Sequence, residues 1–227
     1  MRPEPDYAEY HQKWTDEYEH FNYDRSLSAI FLRKSHSVCE RRWATERFLQ
    51  VIEVGSGSGV HVDFVRHDFH RYLMTDRSTQ MLEKARASGR WSGRRGLEIA
   101  EADATRLDFA DGSFDRLIAA HVLEHLPRPH EVLREWARVV KPGGVLSVVL
   151  PCDPGLWWRI GRHLGPRATA YRAGINYDYW IAREHINPIN NLVSFLRFHF
   201  EDLDETWYPT RIPSIDLNLF YVAHARV

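Results

Sequence analysis

The stretch "VIEVGSGSGVH", Val51 to His61, decides how the rest of the chain is read. An apolar run stops at an acid, and Gly55, Gly57 and Gly59 follow at alternate positions. Glycines so placed let a strand turn sharply and bring backbone close to a ligand. A dinucleotide turn needs G-x-G-x-x-G, whose third glycine admits a closely packed helix. Here that position holds Val60. Glu53 stands just before the first glycine, where a carboxylate repels a pyrophosphate and attracts a positively charged ligand. A tight strand-to-helix turn with no ligand is the plain alternative.

The chain around this turn alternates strand and helix. "LQVIEV" is a short apolar strand, and "GVHVDFVRHD" begins a helix. "RYLMT" is a second strand ending at Asp76, and "STQMLEKARAS" opens on a Ser cap and has helical periodicity. "LEIAEAD" and "FDRLIAAHV" read as a third and a fourth strand. The helix "HEVLREWARVV" is stopped by "KPGG", a turn with a folding role only, and "VLSVVLP" is a fifth strand buried on both faces. Such alternation predicts a Rossmann-like α/β fold with a doubly wound, mostly parallel sheet of seven strands. The last two strands come from "DETWYPTRIP" and "LNLFYVAHARV".

Four regions follow: an N-terminal helical lid over 1–48, a core over 49–151, a cap over 152–200 inserted after the fifth strand, and closing strands over 201–227. In the first, Tyr7, Tyr10, Trp14, Tyr18 and Phe21 recur at helical spacing and make one face. That stripe either packs on a core or covers a ligand.

Composition bounds the function. The 227 residues are 44% hydrophobic, enough for one sizeable core, and the net charge is −1. A balanced charge without a basic stripe argues against nucleic acid as a partner. No window is long and apolar enough for a membrane span. The N-terminus lacks an apolar signal region, and Cys39 and Cys152 have no metal-like spacing. Both features predict a cytoplasmic protein with free thiols.

Strand ends line the ligand edge of such a sheet. Asp76, about 20 residues past the glycine turn, is placed to accept from ribose hydroxyls, or else to cap the following helix. Asp103 ends the third strand, where it accepts from an adenine amine while Ala104 offers a backbone N–H; a solvated loop acid is the alternative. With these residues in place, "VIEVGSGSG", "TDRSTQMLEKA" and "EADATRLDFADGSFDRLIAAHVLEHLPRPHEVLREWARVVKPGGVLSVVLP" together resemble a class I S-adenosylmethionine-dependent methyltransferase. The match covers about residues 50–151 and is most similar to the small-molecule branch that includes the ubiquinone/menaquinone C-methyltransferases. It implies S-adenosylmethionine as cofactor. Glu53, Gly55, Ser56 and Gly57 then face its methionine part, Asp76 and Arg77 its ribose, and Asp103 with Ala104 its adenine. His121, at the end of the fourth strand, borders the methyl group. The "LEHL" segment, with Glu124 and His125, recurs with many acceptors and takes a structural role.

Methyl transfer from a sulfonium is an in-line displacement, so the protein mainly positions the acceptor. A hydroxyl acceptor needs a base, and histidine serves near neutral pH. The candidates are His121 and His185; a structural hydrogen bond is the alternative for His185. Tyr177, Trp180 and His185 in the aromatic cap are candidate acceptor contacts, or else they attach the cap to the sheet. Arg159, Arg162, Arg167, Arg172 and Arg183 either meet an anionic acceptor or form a solvated face. No residue set of the metal-dependent O-methyltransferase kind is present, so no metal is expected. The acceptor is a small or medium-sized metabolite methylated on O, N or C. Two alternatives remain: a nicotinamide-dependent oxidoreductase, and a non-catalytic cofactor-binding scaffold. The sequence leaves the oligomeric state open.

Overall fold

The computed structural model describes Asp6, Tyr7, Tyr10, Gln12, Lys13, residues 27–91 and residues 93–227. Its strands are β1 (Arg47–Val54), β2 (Asp68–Asp76), β3 (Leu97–Glu101), β4 (Phe114–Ala120), β5 (Val140–Pro151), β6 (Leu203–Pro209) and β7 (Asn218–Arg226). They form one seven-stranded sheet in the order β3-β2-β1-β4-β5-β7-β6. The pairs from β3 through β5 are parallel, whereas β7 runs antiparallel to both β5 and β6. This is the doubly wound sheet that the alternating pattern predicts. The order reverses between β1 and β4, and there the carboxyl ends open a crevice.

The helices are α1 (Leu27–Arg41), α2 (Thr79–Ala87), α3 (Pro129–Val139), α4 (Leu156–Leu164), α5 (Pro166–Arg172), α6 (Tyr177–Glu184) and α7 (Ile189–His199). Ser78 caps α2 by accepting from the Met81 N–H at 3.3 Å. Alternate strand residues serve opposite faces. Ile52, Leu117, Leu146 and Val148 pack with Val132 and Trp136 of α3 and Leu192 and Leu196 of α7. Val51, Ile118 and Val145 face the other way, toward Trp43 and Val62. The stretch 152–200 therefore divides: α4 to α6 stand over the crevice, while α7 packs into the main core. The Phe200 ring belongs to that core.

One expected helix is missing. "GVHVDFVRHD" forms a single 3-10 turn over Val60–Phe64, and β2 begins at Asp68. Val60, His61 and Val62 are all buried, so consecutive side chains seek the interior and no helical stripe forms. Of the N-terminal aromatic stripe, Trp14, Tyr18 and Phe21 lie outside the described residues. Tyr10 is buried and stacks on Trp180 of α6, with ring centroids 3.5 Å apart and planes 8° from parallel. The Gln12 amide oxygen accepts from Gln80 of α2 at 3.1 Å. The start of the chain thus touches both sides of the crevice.

α1 is held to the sheet by charge. Arg116 of β4 and Glu40 of α1 are both fully buried and meet in a two-point ion pair at 2.8 and 3.0 Å. His61 Nε2 lies 3.0 Å from Glu40, and Arg116 Nε donates to Ser147 at 3.1 Å. Burial alone would raise the Glu40 carboxyl, but Arg116 and His61 outweigh it and hold it far below the usual range. Glu40→Ala leaves a buried guanidinium without its anion. It is expected to cost about 3–5 kcal/mol of stability, read by equilibrium urea unfolding. The double variant Glu40→Leu/Arg116→Met should recover much of that loss, because neither charge then stays behind.

Candidate active site

The glycine turn is built on left-handed backbone. Gly55, Gly57 and Gly59 have φ of 65°, 55° and 79°, a region that side chains resist. The turn is fastened to the end of β2: Ser56 N–H donates to the Thr75 carbonyl at 2.9 Å, and Gly57 N–H to Asp76 Oδ2 at 2.9 Å. Asp76 Oδ1 accepts from Ser78 N–H at 2.8 Å. Asp76 therefore joins the turn to Ser78, and the cap of α2 is Ser78 rather than Asp76.

Glu53 is 2% exposed and accepts from the Tyr72 hydroxyl at 2.8 Å. Burial pushes its carboxyl up to about 6. The Ser56 and Ser58 hydroxyls beside it are buried without a partner. These three residues line a small cavity with His36, His61 and Ala120. Among the described residues no lysine or arginine pairs with Glu53. An unpaired buried acid beside two orphaned hydroxyls is a polar demand that the ammonium and carboxylate of an amino-acid ligand would meet. The residues fit the methionine end of the cofactor implied by the sequence.

Farther along the edge, Asp103 is exposed, and its Oδ1 accepts from the Thr105 N–H at 2.8 Å and hydroxyl at 2.7 Å. The Ala104 carbonyl accepts from Trp136 Nε1 at 2.8 Å, which fixes the loop between β3 and β4 on α3. Arg77 is exposed, and its charge acts on Tyr7 and His125.

A larger cavity of about 170 Å³ lies beside the first, under α1, α4 and α6. Its polar lining comes from Ser35, His121, Glu124, His125, Arg162, Tyr177 and His185. His121 is in the left-handed region at φ 59°, where the chain turns off the end of β4. Its Nε2 is 2.9 Å from the Ser35 hydroxyl. Its ring meets that of His36 edge-on at 5.8 Å, so the His121–His36 contact stands between the two cavities. Burial pulls the His121 imidazole down to about 3.

His185 follows α6 and places Nδ1 2.9 Å from Asp153 Oδ2. Burial would raise Asp153, but His185 and Arg162 outweigh it and hold its carboxyl below the usual range. With Nδ1 turned to Asp153, Nε2 is the nitrogen left for the cavity. The His185 ring meets that of His125 edge-on at 4.8 Å. Glu124 Oε1 lies 3.8 Å from both His121 Nδ1 and His125 Nε2, and Oε2 is buried without a partner. Burial pushes this carboxyl up to about 7. Glu124 and His125 of "LEHL" both line the cavity, and the segment also holds the fold, with His125 Nδ1 3.0 Å from the Glu184 carbonyl oxygen and the Asn187 N–H donating to the Glu124 carbonyl at 3.1 Å.

Tyr177 lines the cavity, and burial pushes its hydroxyl up to about 12. Trp180, expected at the acceptor, does not line it, because its face is covered by Tyr10. Sequence reasoning passed over Asp153, Ser35 and His36. Asp153 carried a usable signal, since it lies two residues past the end of β5 at the ligand edge. Ser35 and His36 carried none, because their role depends on where α1 docks. Cys39, Glu40 and His61 bring three ligand-type atoms together, but the Arg116 guanidinium already supplies the positive charge there.

A family profile described as a methyltransferase domain matches residues 52–148. The chain is 36% identical over 111 residues to 2-methyl-6-phytyl-1,4-hydroquinone methyltransferase 1 of Oryza sativa, covering 48% of this chain and 33% of that protein. It is 35% identical over 150 residues to phosphatidylethanolamine N-methyltransferase of Cereibacter sphaeroides, covering 61% and 68%. The chain thus spans about a third of the rice relative's length and two thirds of the bacterial one's. The crystal structure of a possible histamine N-methyltransferase from Thermotoga maritima has the same fold, with a TM-score of 0.61 at 17% identity, covering 96% and 98%. The family match sets aside the nicotinamide reading.

Tyr72→Phe removes the donor that holds Glu53 down. The Glu53 carboxyl, at about 6 in the parent, is expected to titrate at higher pH in the variant, read by carbon-detected NMR. An unmoved midpoint would show that the hydroxyl does not stabilise the carboxylate.

Proposed function

The chain belongs to the class I S-adenosylmethionine-dependent methyltransferases, and on that premise we propose that it methylates a hydroxyl-bearing small molecule held in the larger cavity. The observation that carries this reading is the Asp153–His185 pair, 2.9 Å apart, in the cavity that His121 also lines. S-adenosylmethionine, when bound, supplies a methyl group already activated on a sulfonium. The chain's own residues then have two tasks: to seat the two reactants, and to remove one proton.

Glu53, Gly55, Ser56 and Gly57 take the methionine end, Asp76 and Arg77 the ribose, and Asp103 with Ala104 the adenine. Support comes from the orphaned Ser56 hydroxyl beside Glu53, and from the way Asp76 closes on the Gly57 N–H. His121 stands between the cofactor and acceptor cavities. Its neighbour Ser35 ties it to α1, which limits how far the ring can swing. Tyr177 walls the acceptor side. His185 Nε2 takes the hydroxyl proton, and Asp153 holds the ring in the tautomer and orientation for that transfer. The proton leaves to solvent after turnover.

The names of the relatives supply two acceptors, a phytylated hydroquinone and a phosphatidylethanolamine. The hydroquinone suits this site better, because a base that takes a ring hydroxyl proton activates either the oxygen or a ring carbon. Two buried free cysteines agree with a cytoplasmic location, and no helix among the described residues is long and apolar enough to cross a membrane.

Calorimetry with S-adenosylhomocysteine tests the cofactor half. Asp76→Ala is expected to weaken binding by about 1–3 kcal/mol, and Gly57→Val to abolish it in a folded protein. Affinity should rise with pH through about 6, because the ligand's ammonium favours ionised Glu53. A flat profile would remove Glu53 from the ammonium site.

Single-turnover transfer at saturating S-adenosylmethionine tests the other half, with methylhydroquinone and catechol as probes. His185→Ala is expected to slow transfer by about 10²–10⁴-fold while leaving cofactor affinity intact. Asp153→Asn should slow it less and shift the pH–rate profile. Parent rates from His185→Ala would return that residue to a structural role.

A further inference from the structure

α4, "LWWRIGRHL", has one side on the larger cavity and the other on solvent. Trp158, Gly161 and Arg162 line the cavity. Leu156, Trp157, Ile160 and Leu164 face out, with exposures of 46, 49, 37 and 77%. At about 100° per residue these four fall in one sector roughly 100° wide, and exposed His163 and Arg159 flank one edge of it. A helix apolar on its outer face and not buried is placed to meet something.

The neighbouring surface repeats the pattern. α1 touches α4 and exposes Ile30 at 59% and Phe31 at 37%. A shallow groove joins these two residues to Arg33 and Lys34. Phe31 also lines the larger cavity, so the cavity rim reaches the surface between the two helices.

Charge identifies the occupant. Residues 154–177 contain four arginines and no acid, in a chain whose net charge is −1. Arg162 lies 3.7 Å from Asp153, and Arg167 lies 2.6 Å from Asp178. Arg159 and Arg172 have no carboxylate partner among the described residues, nor do Arg33 and Lys34. The nearby Asp216 is taken up at the start of α4, where it accepts from the Leu156 N–H at 2.9 Å. An apolar helix sector holding a tryptophan, flanked by unpaired cations, matches the interface of an anionic bilayer.

We propose that the outer face of α4, with Ile30 and Phe31 of α1, docks on an anionic lipid surface and turns the mouth of the larger cavity toward it. The acceptor is then an amphiphile that enters from the lipid with its hydroxyl end first. This last step rests on the transfer reading above; the docking itself does not.

The test is vesicle flotation without any cofactor or acceptor. Vesicles of phosphatidylglycerol and phosphatidylcholine in equal parts are compared with phosphatidylcholine alone. The parent protein is expected to float with the mixed vesicles at least about tenfold better than with the neutral ones. Trp157→Ser/Leu164→Ser should lose flotation on both. Arg159→Glu should lose it on the mixed vesicles. Both variants should keep the parent's circular dichroism and S-adenosylhomocysteine affinity, since these side chains are exposed. No flotation of the parent, or equal flotation of parent and double variant, overturns the proposal. So does sedimentation showing a dimer that the double variant abolishes, because the face would then belong to a second copy of the chain. A parent protein that floats on the mixed vesicles but, in the separate single-turnover assay, transfers no methyl group to the hydroxyl probes would overturn the transfer reading and leave docking intact.

Discussion

A buried ion pair sets the frame for everything at the crevice. Glu40 and Arg116 are 76 positions apart, and each would be intolerable in the interior without the other. Their two-point geometry leaves α1 little freedom to slide or rotate on the sheet. Ser35 and His36 lie little more than one turn earlier on α1, so the pair also fixes where these two meet His121. The surrounding histidines keep the charge count simple. Burial holds His36 low, His67 at about 4 and His224 at about 3, so all three are neutral near pH 7. These three neighbours then add no charge to the Glu40–Arg116 pair, whose orientation is set by its own two-point geometry and by the His61 and Ser147 contacts.

On the proposed reading, two cavities divide one reaction between them. The smaller is polar and backbone-walled, made by the glycine turn and Glu53. The larger mixes aromatic and aliphatic residues with Ser35, His121, Glu124, His125, Arg162, Tyr177 and His185. On that reading, the first would select the donor by polar complementarity and the second the acceptor by shape and by its reactive group.

The strand pattern was legible because the central parallel strands bury both faces, and continuous apolar runs such as "VLSVVLP" mark that directly. The antiparallel hairpin of β6 and β7 was legible as two closing strand-like runs, "DETWYPTRIP" and "LNLFYVAHARV". The glycine turn and Asp76 could be read because their chemistry is local. What could not be read depended on docking. Glu40 looks like any helical acid until Arg116 is folded under it. Trp180 looks like a pocket residue until Tyr10 covers it. Asp153 stood at a strand end and was readable in principle, but its partner His185 lies across three helices of the cap. The helix expected after Gly59 failed because consecutive buried residues at 60 to 62 favour a tight turn over an amphipathic helix.

That short turn has an electrostatic consequence. A full helix after a glycine loop presents the positive end of its macrodipole to the ligand, which is why such loops hold phosphates. The five residues of Val60–Phe64 make too little aligned backbone to generate that field. Glu53 therefore meets no helix field, and the floor of the crevice holds a buried carboxylate where a nucleotide-binding fold usually presents a helix N-terminus. The chain keeps the topology of an anion binder and puts an acid at its centre.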